Sequence, residues 1–278
     1  MTTDTTEAAP SERRRAPLWR AILVATVLLL GVTASASAAP NPATNIPAGP
    51  LPHACAVAPK TSICIDAVVA ALDKARTHLG LGPYLLPADF DALPGEEQLL
   101  ILSNLDRLAY GLPPINGLSP ALSAVATVGV TNDADPDPSA LLTGLSSFGW
   151  SSNWAGAFGN APEAYYAWMY YDGWGGKQTS NLDCTSPTAS GCWGHRLDVL
   201  AFTQQGTLSM GAAVTRDAHG QIGYAMTLVW TPPASNWTSF TYTWAQAQAD
   251  GAGSLNRHQL AARRPQVALV RAAKHPRS

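Results

Sequence analysis

The chain of 278 residues is poor in charge, because Asp, Glu, Lys and Arg make up only 13% of it. Soluble proteins usually carry about 25%. A nucleic-acid-binding surface needs a dense field of Lys and Arg, so the composition excludes that class of protein. The 23 glycines and 22 prolines follow no strict period, and no segment repeats along the chain. Collagen-like and solenoid architectures are therefore excluded as well.

What the chain has in quantity is apolar surface, with 46% hydrophobic residues and nine tryptophans. This content suffices for a sizeable core and excludes a wholly disordered chain. The charge is unevenly divided, with a net charge of −9 over residues 39–250 and +6 over residues 251–278. We interpret 251–278 as a basic flexible tail that suits contact with an anionic cell envelope. No feature indicates an oligomer.

Residues 1–38 have the layout of a secretory signal peptide. Four arginines between 13 and 20 precede the apolar run 21–32, and small residues follow as far as Ala38. This order of regions predicts a secreted, extracellular protein that is cleaved after Ala38 or Ala36. The alternative is an uncleaved N-terminal helix that anchors the protein in the membrane.

Four cysteines agree with an oxidising, extracellular location. Four cysteines allow three pairings, and the short separations in sequence favour Cys55–Cys64 and Cys184–Cys192. A zinc site would place paired cysteine ligands about two to four residues apart. Neither pair has that spacing, so we expect no metal, and nothing in the sequence indicates another cofactor.

The hydrophobic pattern predicts an α+β fold. Apolar residues recur at helical spacing in several segments, and two β-rich segments flank a turn at 216–221. The predicted helices cover 62–79, 96–110, 120–128, 162–171 and 193–200, and the predicted strands cover 207–215 and 222–230. We expect residues 39–61 to be a linker, 62–93 an accessory helix and loop, and 94–250 the main domain.

Four motifs occur in a characteristic order over about half of the chain. They are NLDRLAYGLPPI at 104–115, SPAL at 119–122, SNWA at 152–155 continuing to AWM at 167–169, and GHRLDVL at 194–200. In this order and spacing they resemble the bacterial branch of the CAP superfamily, which includes cysteine-rich secretory proteins, antigen 5 and pathogenesis-related proteins (the SCP-like extracellular domain). The resemblance implies a three-layer α-β-α sandwich. Its cleft is lined by two histidines and often by two acidic residues.

The resemblance carries over only in part, which marks this chain as a divergent member. His195 matches the second cleft histidine of the family, but Ser152 stands where an acid normally precedes Asn153. The first histidine should fall in the loop around Asp133, and that loop contains none. The second acid falls on a tyrosine, with Asp172 one residue later. The cleft candidates are therefore His195, Ser152, Asn153, Asp172 and Asp133. With a single imidazole among them, we expect no metal in the cleft.

Two functions are compatible with these residues. The first is a non-catalytic secreted module that binds a cell-envelope component, such as a wall or lipid ligand, or an apolar ligand in the cleft. The second is a degenerate extracellular hydrolase acting on wall polymer or ester. In that case His195 would be a general base oriented by Asp172 or by Asp198, which lies one helical turn after it. A Gly-x-Ser-x-Gly nucleophile motif is lacking.

Overall fold

The computed structural model describes residues 39–46, 49–174, 181, 184–233 and 237–253. The predicted signal segment 1–38 and the basic tail from residue 254 onward lie outside these residues. The helices are α1 His53–Val57, α2 Ser62–His78, α3 Gly95–Ala109, α4 Pro120–Thr131, α5 Ala161–Tyr170, α6 Gly194–Val199 and α7 Trp244–Ala249. The strands are β1 Gly117–Leu118, β2 Gly149–Gly156, β3 Thr207–Arg216, β4 Ile222–Thr231 and β5 Tyr242–Thr243.

The chain has an α+β fold built on a five-stranded mixed sheet, which confirms the predicted class. The strand order is β2-β4-β3-β1-β5. β1 and β3 are parallel, whereas the other neighbours are antiparallel. In the hairpin of β3 and β4, Ala212 lies opposite Met226, and β2 continues the sheet with Asn153 opposite Met226. The motif around Asn153 is therefore a strand at the edge of the sheet.

Helices pack on both faces of the sheet because successive strand residues point to opposite sides. Met210 and Tyr224 belong to the large core that includes buried residues of α2, α3 and α5. The opposite face carries α4, and a Cβ on Gly211 would overlap the backbone of Leu122 in that helix. Glycine at this position therefore allows α4 to lie directly on β3.

The predicted helices agree with the structure to within three residues at each end. α4 starts where the sequence indicates, since the Ser119 hydroxyl accepts a hydrogen bond from the Leu122 N–H and Pro120 occupies the first turn. The predicted hairpin is also present, and its strands are one residue longer than expected at their C-terminal ends. Sequence reasoning did not identify β2 as a strand, and it missed β1, β5, α1 and α7.

A buried carboxylate joins α2, α3 and α5. Asp106, with no exposed surface, forms an ion pair with Arg76. It also accepts hydrogen bonds from the hydroxyls of Tyr84, Tyr165 (2.7 Å) and Tyr170 (3.2 Å). Arg76 and Tyr84 belong to the segment 62–93, for which the sequence predicts an accessory helix and loop. These bonds tie that segment to the core of the domain.

The segment 39–61, predicted as a linker, contacts the domain in its described part. The buried guanidinium of Arg196 donates through Nη1 to the carbonyls of Pro42 and Thr44, both at 2.9 Å. Its Nε donates to the Met169 carbonyl at 2.6 Å, and the Trp193 ring lies 3.5 Å from the guanidinium carbon. Because a buried cation needs hydrogen-bond acceptors, residues 39–46 stabilise it through the two carbonyls that Nη1 uses, whereas Nη2 has no partner among the described residues.

Candidate functional site

A cavity of about 430 Å³ opens between the end of β2, α5, α6 and the tip of the β3–β4 hairpin. Aromatic rings and a few polar side chains share its wall. The lining residues are Trp154, Ala155, Gly156, Ala157, Phe158, Ala167, Trp168, His195, Asp217, His219 and Gln221. The volume lies in the range of small-molecule sites, which are mostly apolar with a few convergent polar groups.

His195 is fixed at the start of α6 by the buried carboxylate of Asp172, which is 1% exposed. Its Nδ1 lies 2.6 Å from Asp172 Oδ1, and its backbone N–H donates to Oδ2 at 2.9 Å. We assign the ring proton to Nδ1 because a carboxylate only accepts. Nε2 is then the ring nitrogen available to a ligand. Asp172 lies one residue after the position at which the resemblance places the second acid, and it is the hydrogen-bond partner of His195.

Charges around the cavity perturb two titrating groups. Burial lowers the pKa of His195, but the hydrogen bond and negative charge of Asp172, with the charges of Asp135 and Asp198, outweigh it and raise the pKa. Burial and the neighbouring carboxylates Asp135 and Asp172 raise the pKa of Asp198 to about 7. Asp198 therefore acts on His195 through its charge, whereas Asp172 makes the hydrogen bond.

Asp198 is expected to contribute stability that is lost as pH rises between about 4 and 7. In this window folded Asp198, with its pKa near 7 instead of 3.8, keeps a proton that the unfolded chain has lost. The titration of His195 also lowers stability as pH rises, at the upper end of this pH range. Its raised folded pKa gives a stabilisation that is complete below about 6.5 and is lost as pH rises through the folded value.

Urea unfolding at a series of pH values measures this slope. The Asp198→Asn variant should show a shallower slope, whereas Asp66→Asn, at an exposed position on α2, should retain the wild-type one. Equal slopes in wild type and Asp198→Asn would contradict the assignment.

The other predicted cleft residues lie beside the cavity and do not line it. Asn153 Nδ2 donates to the His195 carbonyl at 2.9 Å and so joins β2 to α6. The Ser152 hydroxyl donates to Thr227 Oγ1 at 2.9 Å within the sheet. Asp133 Oδ2 lies 3.2 Å from His219 Nε2. Asp133 therefore contacts the hairpin tip through His219, which itself lines the cavity.

The expectation of a single imidazole in the cleft requires correction. His219 lines the same cavity as His195, although its side chain is 74% exposed. The turn directs it there because Asp217 Oδ1 accepts the backbone N–H groups of His219 (2.9 Å) and Gln221 (2.8 Å). Sequence reasoning identified His219 only as a turn residue, since its approach to α6 depends on the tertiary fold.

Among the described residues, the only group of three or more metal-ligating side chains is Cys55, Cys64 and Glu163. The two sulfurs of this group are joined in a disulfide, so they are not available as thiolate ligands. His195 and His219 thus line one cavity without belonging to such a group.

Both disulfides that the spacing favours are present, Cys55–Cys64 and Cys184–Cys192. Disulfides persist in oxidising compartments, and they point to an extracellular location. In the part of the chain that the structure describes, no helix combines the length and apolar character needed to cross a membrane.

The chain was compared with protein-family models, with curated proteins and with solved structures, and nothing in any of these comparisons matches it.

Proposed function

We propose that the chain is a secreted, divergent CAP-like module that binds a component of the cell envelope, without catalysis, in the cavity beside His195. The order of its four motifs supports this assignment. An α+β fold with helices on both faces of the sheet is compatible with the three-layer sandwich of that superfamily. Two disulfides and the amino-terminal signal layout support secretion. In solution the basic tail would add an electrostatic contact with an anionic envelope.

The composition of the cavity wall carries this proposal. The half-buried rings of Trp154 and Phe158 line it, Trp168 borders it from the core, and His195 and Gln221 offer polar atoms beside them. Flat apolar groups with polar atoms at their rim suit ligands that have both an apolar face and hydrogen-bonding groups. None of the lining residues carries a hydroxyl or thiol. Covalent catalysis by a serine, threonine or cysteine therefore lacks its nucleophile at this wall.

One observation favours hydrolysis as the second candidate. The pairing of His195 Nδ1 with buried Asp172 at 2.6 Å leaves Nε2 to accept a proton from water, as in general-base catalysis. The serines suggested by proximity do not supply a nucleophile, since the Ser151 hydroxyl donates to the Asp198 carbonyl and the Ser152 hydroxyl to Thr227. A hydrolytic reaction at this site would use water activated by His195 Nε2 in place of a serine nucleophile.

Replacing Trp154 by alanine is expected to weaken binding to the envelope by roughly five- to 150-fold, since stacking on one ring contributes about 1–3 kcal/mol. The assay is co-sedimentation with purified cell wall and, separately, with lipid vesicles, followed by tests for released product. Gln221→Ala is a second cavity variant at an exposed position. Trp150→Ala is the matched control, because Trp150 lies on the same strand, is 41% exposed and does not line the cavity.

Equal losses in the Trp150 and Trp154 variants would contradict binding in the cavity. Release of product by the wild-type protein that disappears in His195→Ala would contradict the binding module and favour the hydrolase.

A further inference from the structure

A second cavity, of about 630 Å³, lies over the Cys55–Cys64 disulfide at the junction of α1 with the loop before α5. Its wall includes Cys55, and the polar side chains of His53, Lys60 and Glu163 also line it. Cys64 has no exposed surface. Cys55, which is 6% exposed, therefore borders a cavity, while Cys64 faces the protein interior.

The surroundings of Cys64 can stabilise a thiolate. The Asn160 side-chain amide donates to Cys64 Sγ at 3.0 Å. Cys64 also lies in the first turn of the 17-residue helix α2, at the positive end of its dipole. Hydrogen-bond donors and a helix N-terminus both favour the ionised sulfur.

A buried carboxyl group stands next to the same sulfur. Glu163 is 4% exposed, and its Oε1 lies 4.0 Å from Cys64 Sγ. Its Oε2 accepts the Gly159 N–H at 2.6 Å. Burial raises the pKa of Glu163, although the backbone N–H groups of Gly159 and Asn160 oppose this shift. The carboxyl group is thereby placed to hold a proton beside the sulfur.

We propose that Cys55–Cys64 is an exchange-active disulfide that reacts with small anionic thiols entering this cavity, with Cys64 as the leaving sulfur and Glu163 as its proton donor. Lys60 at the cavity wall suits a thiol that carries a carboxylate. This cavity adjoins the one beside His195 and shares Ala157, Phe158 and Gln221 with it, but the exchange does not depend on the function proposed there.

The exchange proceeds in two steps. The thiolate of the incoming molecule attacks Cys55 Sγ and forms a mixed disulfide. The Cys55–Cys64 bond breaks, its electron pair leaves on Cys64, and the Glu163 proton passes to that sulfur. A second thiolate then attacks the incoming sulfur and releases Cys55, which takes a proton from solvent. Two small thiols become one disulfide, and the cysteine pair is reduced to two thiols.

Reduced glutathione is the probe, applied to the folded full-length chain, and each disulfide is followed by alkylation and mass spectrometry. In wild type, we expect Cys55–Cys64 to exchange faster than Cys184–Cys192, although Cys192 is the more exposed of these cysteines. The Cys184–Cys192 pair is an internal control, since its sulfurs contact the Ser186 carbonyl at 4.0 and 3.1 Å. Slower exchange at Cys55–Cys64 would overturn the proposal without any variant.

The Glu163→Gln variant keeps the side-chain shape and an acceptor for Gly159, but it has no proton to give. We expect exchange at Cys55–Cys64 to slow about tenfold or more, as for loss of a general acid, with Cys184–Cys192 unchanged. An unchanged rate, or a faster one because a repelling carboxylate is gone, would overturn the role of Glu163. A destabilising variant far from both sulfurs, Leu142→Ala in the small buried cluster with Leu122 of α4, should leave the rate unchanged. Acceleration there would mean that the disulfide reacts only after unfolding.

Discussion

Replacing Asp106 by asparagine is expected to lower the free energy of unfolding by about 3–5 kcal/mol, because it leaves a buried arginine without its counter-charge. Asp106 is fully buried and accepts from Arg76 and from the hydroxyls of Tyr84, Tyr165 and Tyr170. An amide has one accepting oxygen, and its NH₂ group would face the remaining donors. The substitution thus removes the charge and also brings donors against donors.

Urea unfolding at neutral pH measures the effect. The matched control is Asp91→Asn, at an exposed position in the turn before α3, where a change within about 0.5 kcal/mol is expected. A loss below about 1 kcal/mol in Asp106→Asn would mean that water reaches Arg76 and that the network is not a closed one.

Replacing Arg196 by methionine is expected to cost about 2–4 kcal/mol of stability. Methionine retains an apolar stem but removes the donors to the carbonyls of Pro42, Thr44 and Met169. It also removes the cation from the face of the Trp193 ring. Since two of these carbonyls belong to residues 39–46, that segment should detach before the domain unfolds.

Two measurements separate these effects. The first is the free energy of unfolding, and the second is the rate of limited proteolysis within residues 39–46. Lys74→Met, at an exposed position on α2, is the control and should change neither. If Arg196→Met loses stability while cleavage of the segment stays at the wild-type rate, contacts other than the Arg196 hydrogen bonds hold the segment in place.

The elements that sequence reasoning located are those with a strong local signal. α4 follows a Ser-Pro start, α2 and α3 repeat apolar residues at helical spacing, and β3 and β4 flank a polar turn. β2 has no such signal, because its sequence GWSSNWAG lacks a clear apolar alternation. It becomes a strand by pairing with β4 along its whole length. Local pattern thus locates the helices, whereas this strand depends on tertiary pairing.

In the candidate site, too, local sequence pattern located some residues, and others depend on the tertiary fold. His195 and Asp172 could be named because they lie at or next to motif positions. The approach of His219 to the same cavity could not be foreseen, since it requires the hairpin tip to fold toward α6. The carbonyl partners of Arg107 and Arg196 carry no sequence signal either, because any residue supplies a carbonyl. Arg107 alone donates to four of them, at Pro113, Val199, Ala201 and Phe202.

The bonds from Arg196 to Thr44 and Pro42 span 152 and 154 positions of sequence. A polypeptide leaves the ribosome amino end first, at about 5–20 residues per second. The earliest part of this domain therefore waits about 8–30 seconds at those speeds before its anchoring guanidinium has been synthesised. During that interval the segment lacks the guanidinium that binds its carbonyls, so its docking onto the domain comes late in synthesis.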